Sequence, residues 1–406
     1  MSERIVIIGA GQSGGRVAQI LASNADTNMS ITLIGSEPHR PYNRPPLSKG
    51  VLLGKSGLDD CLVWPQDGSV ESRVMFHAGR RAKSFDARQQ SVELDNGTVL
   101  EYDKLVLATG SRVRHLSVPG AGAEGVYTLR TFDDAERIAR QFRTGKRLLV
   151  VGGGFVGLEI AAAARARGLE TVVVEATHRL LSRIVPEEVG AALARYHEEA
   201  GVSFRVGSMV EELVTTSSRK PNAAVLSNGE TLPYDLAVVG VGVTADTALA
   251  KAAGLDVQVG IRADSSLRTS APNVFACGDA VSFWHPVFER HVRVEAWHNA
   301  EDHARVVADQ LLGRPAVCNT VPFFWSDQYD RSMQIVGIPH FGSELVSCTL
   351  DDAKILYHLD AYGVLVAATA LGHDRVIGRK ISEARRLIMR KVKPDPHLMK
   401  QGRSLL

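Results

Sequence analysis

The fold is decided by the stretch Arg4-Ile5-Val6-Ile7-Ile8-Gly9-Ala10-Gly11-Gln12-Ser13-Gly14, close to the start of the chain. Its β-branched run predicts a short buried strand, and a helix-like segment up to Leu21 follows the glycines. In a Gly-x-Gly-x-x-Gly turn the backbone can approach a pyrophosphate closely, and the N-terminus of the helix meets the negative charge. We therefore predict a dinucleotide phosphate site that comprises Gly9, Gly11, Gln12, Ser13 and Gly14.

A second strand is predicted over residues 30–34, at the distance that this plan requires. An acidic residue normally closes that strand and accepts hydrogen bonds from the ribose hydroxyls. Glu37 is our candidate, although it stands one place later than expected, where Ser36 occupies the usual position. The choice between Glu37 and Ser36 as the ribose ligand stays open at this point.

The same pattern returns in the middle of the chain. Residues 147–151 form a second apolar run, followed by Gly152-Gly153-Gly154-Phe155-Val156-Gly157 and, after a helix and a strand, by Glu175. Two such copies predict an α/β protein with two Rossmann-like dinucleotide-binding domains in tandem. The predicted contacts of the second copy are Gly152, Gly154, Phe155, Val156, Gly157, Glu175 and Gly242.

The ends of the two copies also match. Residues 95–110 and 227–242 each carry an Asn-Gly pair at their second and third positions and continue into an apolar strand, and for Asn96-Gly97 we predict a type I′ hairpin turn. The first of these strands ends in the small residues Ala108, Thr109 and Gly110, which we expect close to the cofactor. Two dinucleotide sites in one chain predict a flavin and a nicotinamide with hydride transfer between them.

Two further stretches fit the flavin site. Residues 269–280 read as a short buried strand that ends in Gly278-Asp279, and we predict that Asp279 binds hydroxyls of the ribityl chain. The loop from Tyr42 to Lys49 contains two prolines that stiffen it, so that Arg44 and Lys49 are held out towards a ligand.

Composition limits the class of protein. The 406 residues suggest two or three domains, and 45% of them are apolar. Neither a signal-type segment nor an apolar run of about 18 residues is present, so we expect a cytoplasmic protein without a membrane span. The four cysteines are scattered without a CxxC pair, which argues against an iron-sulfur centre, a metal site and a redox disulfide.

Charge is concentrated at the C-terminal end. Residues 375–403 hold six arginines and four lysines against Glu383 and Asp395, a net charge of +8, while the whole chain carries only +2. Such a basic face fits an acidic protein or nucleic acid. We expect the acidic protein.

Taken together, these segments resemble the glutathione-reductase superfamily of flavoprotein reductases over essentially the whole chain. Within it, the sequence closely resembles the FAD-dependent ferredoxin-NAD(+) reductases of bacterial oxygenase systems, the putidaredoxin reductase and biphenyl dioxygenase reductase type. The most specific matches are Arg44-Pro45-Pro46-Leu47-Ser48-Lys49, Gly157-Leu158-Glu159, the segment 293–300 and the segment 322–328.

The resemblance implies a domain plan and several residue roles. Residues 1–111 and 245–319 would bind FAD, residues 112–244 would bind NAD, and residues 320–406 would form an α+β C-terminal domain. Lys49 and Glu159 would pair beside the reactive edge of the isoalloxazine ring as the catalytic residues, each also contacting its cofactor. The remaining FAD contacts implied by the resemblance are Arg44, Arg130, Trp297 and Trp325.

The predicted activity is transfer of hydride from NADH to FAD, followed by single-electron transfer to an acidic [2Fe-2S] ferredoxin. A carboxylate at Glu175 favours NADH over NADPH, although Arg179 and Arg183 reduce the expected preference for NADH. Alternatives are a rubredoxin or monodehydroascorbate reductase, and an apoptosis-inducing-factor-like flavoprotein that mainly binds macromolecules. We expect a monomer or dimer, with the ferredoxin docking on Arg385, Arg386, Arg390 and Lys391.

Overall fold

The structure is a computed structural model and describes residues 2–24, 28–215 and 222–404. The chain divides into two compact units. Unit 1 comprises residues 1–44, 58–112 and 244–322, and unit 2 comprises residues 45–57, 113–243 and 323–406.

The secondary structure of both units combines strands and helices. The strands of the first half are β1 (Glu3–Ile8), β2 (Met29–Gly35), β3 (Val74–Ala78), β4 (Ala82–Asp86), β5 (Ser91–Leu94), β6 (Val99–Glu101), β7 (Lys104–Leu107), β8 (Ser111–Val113), β9 (Val126–Thr128), β10 (Arg147–Val151), β11 (Glu170–Glu175) and β12 (Val202–Val206). Those that follow are β13 (Val210–Val214), β14 (Asn222–Leu226), β15 (Thr231–Tyr234), β16 (Leu236–Val239), β17 (Val243–Ala245), β18 (Ile261–Ala263), β19 (Val274–Ala276), β20 (Val281–His285), β21 (Arg290–Val292), β22 (Phe323–Gln328), β23 (Arg331–Gly337), β24 (Glu344–Leu350), β25 (Ala353–Leu359) and β26 (Leu365–Gly372). The helices are α1 (Gln12–Ala22), α2 (Phe132–Gln141), α3 (Phe155–Ala166), α4 (Glu187–Glu199), α5 (Ala248–Ala252), α6 (Trp297–Leu311), α7 (Asp374–Met389) and α8 (Pro396–Lys400).

Unit 1 is built on a parallel sheet of order β19-β7-β1-β2-β3. Strand β1 lies at its centre and is buried on both sides, which explains why it is a continuous β-branched run. Helix α1 packs against α6, and the buried Ser13 hydroxyl donates to Ala300 O at 3.0 Å. This arrangement brings the carboxyl ends of β1 and β7 together at the N-terminus of α1.

Unit 2 repeats this plan in a parallel sheet of order β12-β11-β10-β16-β9. Equivalent hydrogen bonds also recur in the two units. The Arg4 N–H donates to Asp103 Oδ2 at 2.7 Å, and the Arg147 N–H donates to Asp235 Oδ2 at 2.8 Å. The predicted α/β class with two tandem Rossmann-like folds is confirmed.

The hairpin predicted at Asn96-Gly97 forms between β5 and β6, but the type I′ turn is wrong. Gly97 has φ +82°, whereas Asn96 does not have positive φ, and a type I′ turn requires it at both central residues. The Leu94 N–H instead donates to Thr98 O at 2.8 Å, which closes a three-residue loop with the glycine in the left-handed conformation. The hairpin at Asn228-Gly229 follows the same rule, with φ +84° at Gly229 alone.

The C-terminal part of unit 2 is an antiparallel sheet of order β22-β23-β26-β25-β24, against which α7 packs. Side chains of this sheet share one apolar core with the Rossmann-like part of the same unit, where Met333 and Ile335 meet Leu158 and Leu193. The shared core fixes β22 relative to α3 and α4. No helix within the described ranges is both long and apolar enough to cross a membrane.

Candidate active site

The glycine turn of unit 1 is closely packed on one side and open on the other. A β-carbon at Gly9, where φ is +112°, would lie 2.1 Å from Ala108 O, and one at Gly14 would lie 1.9 Å from Gly9 O. Gly11 has no atom within 4 Å of its β-carbon position. Because Gly11 is the N-cap residue of α1 and no side chain caps that helix, the first N–H groups of α1 fit the pyrophosphate of FAD.

The side chains of Gln12 and Ser13, the two polar residues in this turn, form hydrogen bonds with α6. Gln12 Nε2 donates to Glu301 Oε1 at 2.5 Å, and the Ser13 hydroxyl bonds to the backbone of α6. Their predicted phosphate contacts therefore rest on backbone N–H groups, and the two side chains anchor α1 to α6.

Glu37 forms a compact group with Arg44 and Tyr42. Arg44 Nη2 donates to Glu37 Oε1 at 2.7 Å, the Tyr42 hydroxyl donates to Glu37 Oε2, and the guanidinium lies 5.1 Å from the Tyr42 ring centroid. Glu37 follows β2 and remains partly exposed, while Ser36 is exposed beside it. Arg44 therefore orients the predicted ribose ligand.

Asp279 lies in a single 3-10 turn directly after β19 and is partly exposed. The Ser111 hydroxyl donates to its Oδ2 at 3.3 Å. Ala108, Thr109 and Gly110 follow β7, the neighbour of β19, and the Thr109 hydroxyl donates to Asp246 O at 2.5 Å. The sheet thus places these predicted FAD contacts of unit 1 at one edge.

The remaining predicted FAD contacts are distributed over both units. Trp297 begins α6 in unit 1, and its Nε1 donates to Asn43 Oδ1 at 2.9 Å. Arg130 and Trp325 belong to unit 2. The Arg130 N–H donates to Asp134 Oδ2 at 3.1 Å, and Trp325 stacks on Phe323 with 6.3 Å between ring centroids.

The glycine turn of unit 2 reproduces the first one. Gly152 also has φ +112°, a β-carbon at Gly157 would lie 2.1 Å from Gly152 O, and Gly154 faces open space at the uncapped start of α3. Phe155 packs on Phe324 at 4.3 Å between centroids, whereas Val156 is exposed beside the turn. The geometry fits the pyrophosphate of a nicotinamide dinucleotide.

Glu175 ends β11, where the sequence predicts a ribose ligand. Its Oε2 accepts the Gly153 N–H at 2.7 Å, and its Oε1 accepts the Thr177 hydroxyl at 2.7 Å. Arg179 donates to the carbonyls of Ser182 and Val185, each at 2.9 Å, so its guanidinium is engaged by the backbone of its own loop. Arg183 is exposed. Gly242 has φ +100° and follows β16, the neighbour of β10.

The predicted catalytic pair forms within unit 2. Lys49 Nζ lies 2.6 Å from Glu159 Oε1; the lysine side chain is 26% exposed and the carboxylate side chain 7%. Glu159 also accepts from the hydroxyls of Ser48 and Ser326, each at 2.5 Å. The carboxylate is held by three donors, and the lysine retains access to a ligand.

No role was predicted for Ser48 or Ser326 from sequence, although both lie in segments that carry the resemblance. Ser48 ends a 3-10 turn immediately before Lys49, and Ser326 faces inward from β22. No local sequence pattern predicts either contact, because Ser48 and Ser326 are both far from Glu159 in sequence.

The four cysteines are buried, unpaired and separated from one another. Burial raises the pKa of Cys277 and of Cys318 to about 12, so neither is a thiolate at neutral pH. Burial likewise raises the pKa of Cys61 and Cys348. Within the described residues, which include all four, there is no thiol pair that could relay electrons.

Comparisons with known proteins show similarity to flavoprotein reductases over nearly the whole chain. Residues 3–304 match the pyridine nucleotide-disulphide oxidoreductase family, and residues 323–405 match the reductase C-terminal domain. The ferredoxin-NAD(+) reductase component of the anthranilate 1,2-dioxygenase system from Burkholderia cepacia is 38% identical, with 97% of this chain and 96% of that protein aligned. Putidaredoxin reductase from Pseudomonas putida is 33% identical over 98% of this chain and 94% of that protein.

A solved structure agrees as well. The reductase in the covalent putidaredoxin reductase-putidaredoxin complex superposes with a TM-score of 0.92 at 31% identity, covering 98% of this chain and 95% of that one. The chain belongs to the ferredoxin-NAD(+) reductases of oxygenase systems, within the pyridine nucleotide-disulphide oxidoreductase family.

Proposed function

We propose that this protein is an NADH:ferredoxin oxidoreductase that supplies electrons to an oxygenase, a cytochrome P450 or a Rieske dioxygenase. When bound, FAD accepts hydride from NADH and releases the electrons one at a time to a one-electron acceptor. The observation that carries the proposal is the ion pair between partly exposed Lys49 and buried Glu159, in a chain whose four described cysteines form no thiol relay. Because the reaction uses NADH, we propose a cytoplasmic location.

Each unit would hold one dinucleotide. We propose that residues 1–111 and 245–319 bind FAD through the turn at Gly9, with Asp279 directed at the ribityl hydroxyls. Residues 112–244 would bind NADH through the turn at Gly152, with Glu175 on the ribose. Residues 320–406 would form the α+β C-terminal domain.

The role of Lys49 follows from charge. An ammonium beside the flavin site would stabilise negative charge on the ring of the bound cofactor, most strongly where water is excluded. Glu159 keeps the ammonium in one place through the 2.6 Å ion pair, and the two serines keep Glu159 in place. Lys49 would therefore promote reduction, and Glu159 would orient it.

Helix α7 supplies a surface for the acceptor. Arg385, Arg386, Arg390 and Lys391 are exposed at its C-terminal end, whereas Lys380 is buried and pairs with Glu383 at 3.0 Å. We propose that the exposed cations attract an acidic [2Fe-2S] ferredoxin. The buried Lys380 contributes to the fold of the tail instead.

Steady-state NADH oxidation with a panel of [2Fe-2S] ferredoxins and rubredoxins tests the function. We expect rapid turnover with at least one acidic [2Fe-2S] protein and slower turnover with rubredoxins. Faster turnover with rubredoxins throughout would instead identify a rubredoxin reductase. Slow turnover with every carrier, together with long-lived charge-transfer complexes, would identify a macromolecule-binding flavoprotein.

The double variant Arg386→Gln/Arg390→Gln is expected to lower kcat/KM for the ferredoxin about tenfold at low ionic strength, because rim charges steer association. Its rate should also depend less on salt than that of the wild type. NADH oxidation with ferricyanide, which needs no docking surface, should not change. The matched control is Arg137→Gln/Arg140→Gln, which removes two exposed arginines from α2. An equal loss in that control would contradict the docking site.

Glu175→Ala is expected to lower kcat/KM for NADH about tenfold, because an ionised acceptor for the ribose hydroxyls is lost. The NADPH value should change less, so the ratio of NADH to NADPH efficiency falls. Glu170→Ala, an exposed glutamate at the opposite end of β11, is the matched control. Equal changes with NADH and NADPH would show that Glu175 does not contact the ribose.

A further inference from the structure

A continuous chain of hydrogen bonds runs from Glu159 to the surface within unit 2. The Ser326 hydroxyl bonds to Glu159 at 2.5 Å, and Gln328 Nε2 bonds to Ser326 Oγ at 3.0 Å. Gln328 Oε1 lies 2.6 Å from His197 Nε2, and the Tyr329 hydroxyl lies 2.9 Å from His197 Nδ1. Ser326, Gln328 and His197 are buried, whereas Tyr329 is 41% exposed.

The elements of the unit explain how the chain forms. Ser326 and Gln328 are two residues apart on β22 and therefore face the same side of the sheet. Their neighbours on that side are Glu159 from α3 and His197 from the last turn of α4. One strand thus links the two helices through polar side chains in an otherwise apolar core.

Glu159 fixes the direction of every bond in the chain. Its carboxylate, paired with Lys49, only accepts, so Ser326 uses its single proton on Glu159 and must accept from Gln328. The amide nitrogen of Gln328 is then the donor, and its oxygen requires a proton on His197 Nε2. His197 Nδ1 is consequently bare and accepts from the Tyr329 hydroxyl. The opposite amide orientation would leave Ser326 without a proton for Glu159.

The same groups show that the chain conveys orientation and not protons. Burial lowers the pKa of His197 to about 4, although the hydrogen bond that His197 donates to Gln328 opposes this shift, so the imidazole is neutral near pH 7. The Gln328 amide does not release its N–H protons at that pH. Proton transfer along the chain is interrupted at this residue.

The outer end of the chain is held by an unusual backbone conformation. Tyr329 has φ +57°, a left-handed conformation that is rare for a bulky side chain and is retained only where the surroundings favour it. This turn between β22 and β23 places the Tyr329 ring edge-on to His197, with 5.0 Å between centroids. The hydroxyl then reaches Nδ1 and supplies the donor that this bare nitrogen requires.

We propose that Gln328, His197 and Tyr329 are positioning residues for the Lys49–Glu159 pair. They hold the Ser326 hydroxyl on Glu159, which in turn holds Lys49 in one orientation. The proposal rests on the proposed function, because it assigns these hydrogen bonds a role in reduction of the flavin by NADH.

Anaerobic stopped-flow reduction of the holoenzyme by NADH tests the proposal. Gln328→Leu should slow reduction about tenfold and shift the flavin midpoint potential in the same direction as Glu159→Gln, because a hydrogen bond to a charged group becomes disordered. Tyr329→Phe should slow it about threefold. The matched control is Thr369→Val, which removes the hydroxyl that bonds to buried His358 at 3.0 Å in the same sheet. That variant should lose thermal stability without a change in rate or potential.

A double-variant cycle separates this role from a general effect on stability. Ser326→Ala/Gln328→Leu should be reduced no more slowly than Ser326→Ala alone, because the chain is already broken at the serine. Additive losses, or a Gln328→Leu variant that behaves like Thr369→Val, would overturn the proposal.

Histidine-selective ¹⁵N NMR of the holoenzyme provides a readout that does not depend on turnover. His197 should carry its proton on Nε2 in the wild type and lose this preference in Gln328→Leu, which lacks the amide oxygen that accepts this proton. A proton on Nδ1 in the wild type would overturn the proposal. If NADH did not reduce the wild-type flavin, the proposed function would fail, and the NMR result would still decide whether the chain is directed as described.

Discussion

Lys49→Ala is expected to slow reduction of the bound flavin by NADH about 100-fold. This is the size of effect expected when an enzyme loses one preorganised group that stabilises the charge developing in the transition state. The flavin midpoint potential should fall, because the ammonium that stabilises the reduced ring is gone. The thermal unfolding midpoint should change little, since Ser48 and Ser326 continue to donate to Glu159. Anaerobic stopped-flow absorbance and potentiometry measure both effects.

Lys55→Ala is the control for this prediction. Lys55 is an exposed lysine in the same short segment of unit 2, so its removal changes the net charge equally without touching Glu159. It should retain the wild-type rate and potential. Unchanged reduction kinetics in Lys49→Ala would remove the lysine from the catalytic site.

Gly14→Ala is expected to yield a protein that purifies without flavin, with an absorbance near 450 nm below about a tenth of the wild-type value. The added β-carbon would lie 1.9 Å from Gly9 O, far inside contact distance, and the atom it meets is backbone. The turn must open, which moves the N–H groups of α1 away from the pyrophosphate.

Gly157→Ala makes the same change in the other copy of the fold, with a β-carbon 2.1 Å from Gly152 O. It should keep its flavin and raise KM for NADH more than tenfold. The two variants are therefore each other's control. Loss of flavin in both would show that the glycines serve folding in general, and retention of flavin in Gly14→Ala would refute the assignment of the first turn.

Local sequence was enough for the parts of the fold that depend on backbone conformation. The two glycine turns could be predicted because positive φ at Gly9 and Gly152 admits few other residues. Hydrophobic runs predicted β1 and β10 because a parallel strand is buried on both faces. The type I′ turn could not be settled in this way, because Asn-Gly also suits a three-residue loop in which only the glycine has positive φ.

The contacts of the candidate site join residues that are far apart in sequence, so local sequence patterns do not predict them. The predicted pairing of Lys49 with Glu159 came from a resemblance, and no local pattern leads from either residue to Ser326 or His197. Arg179 was a candidate for a 2′-phosphate on sequence grounds, but its bonds to two carbonyls became visible only when the loop after β11 was folded.

The sequence by itself determined the two-dinucleotide plan, the absence of a cysteine pair and the basic C-terminal end, because each is a property of residue type and short spacing. Only the tertiary structure decided what holds Glu159. The shared core fixes β22 against α3 and α4, and only then do serine, glutamine, histidine and tyrosine side chains from distant segments align into one directed chain. Hydrogen bonds of this kind require positions within a few tenths of an ångström, and packing supplies that precision.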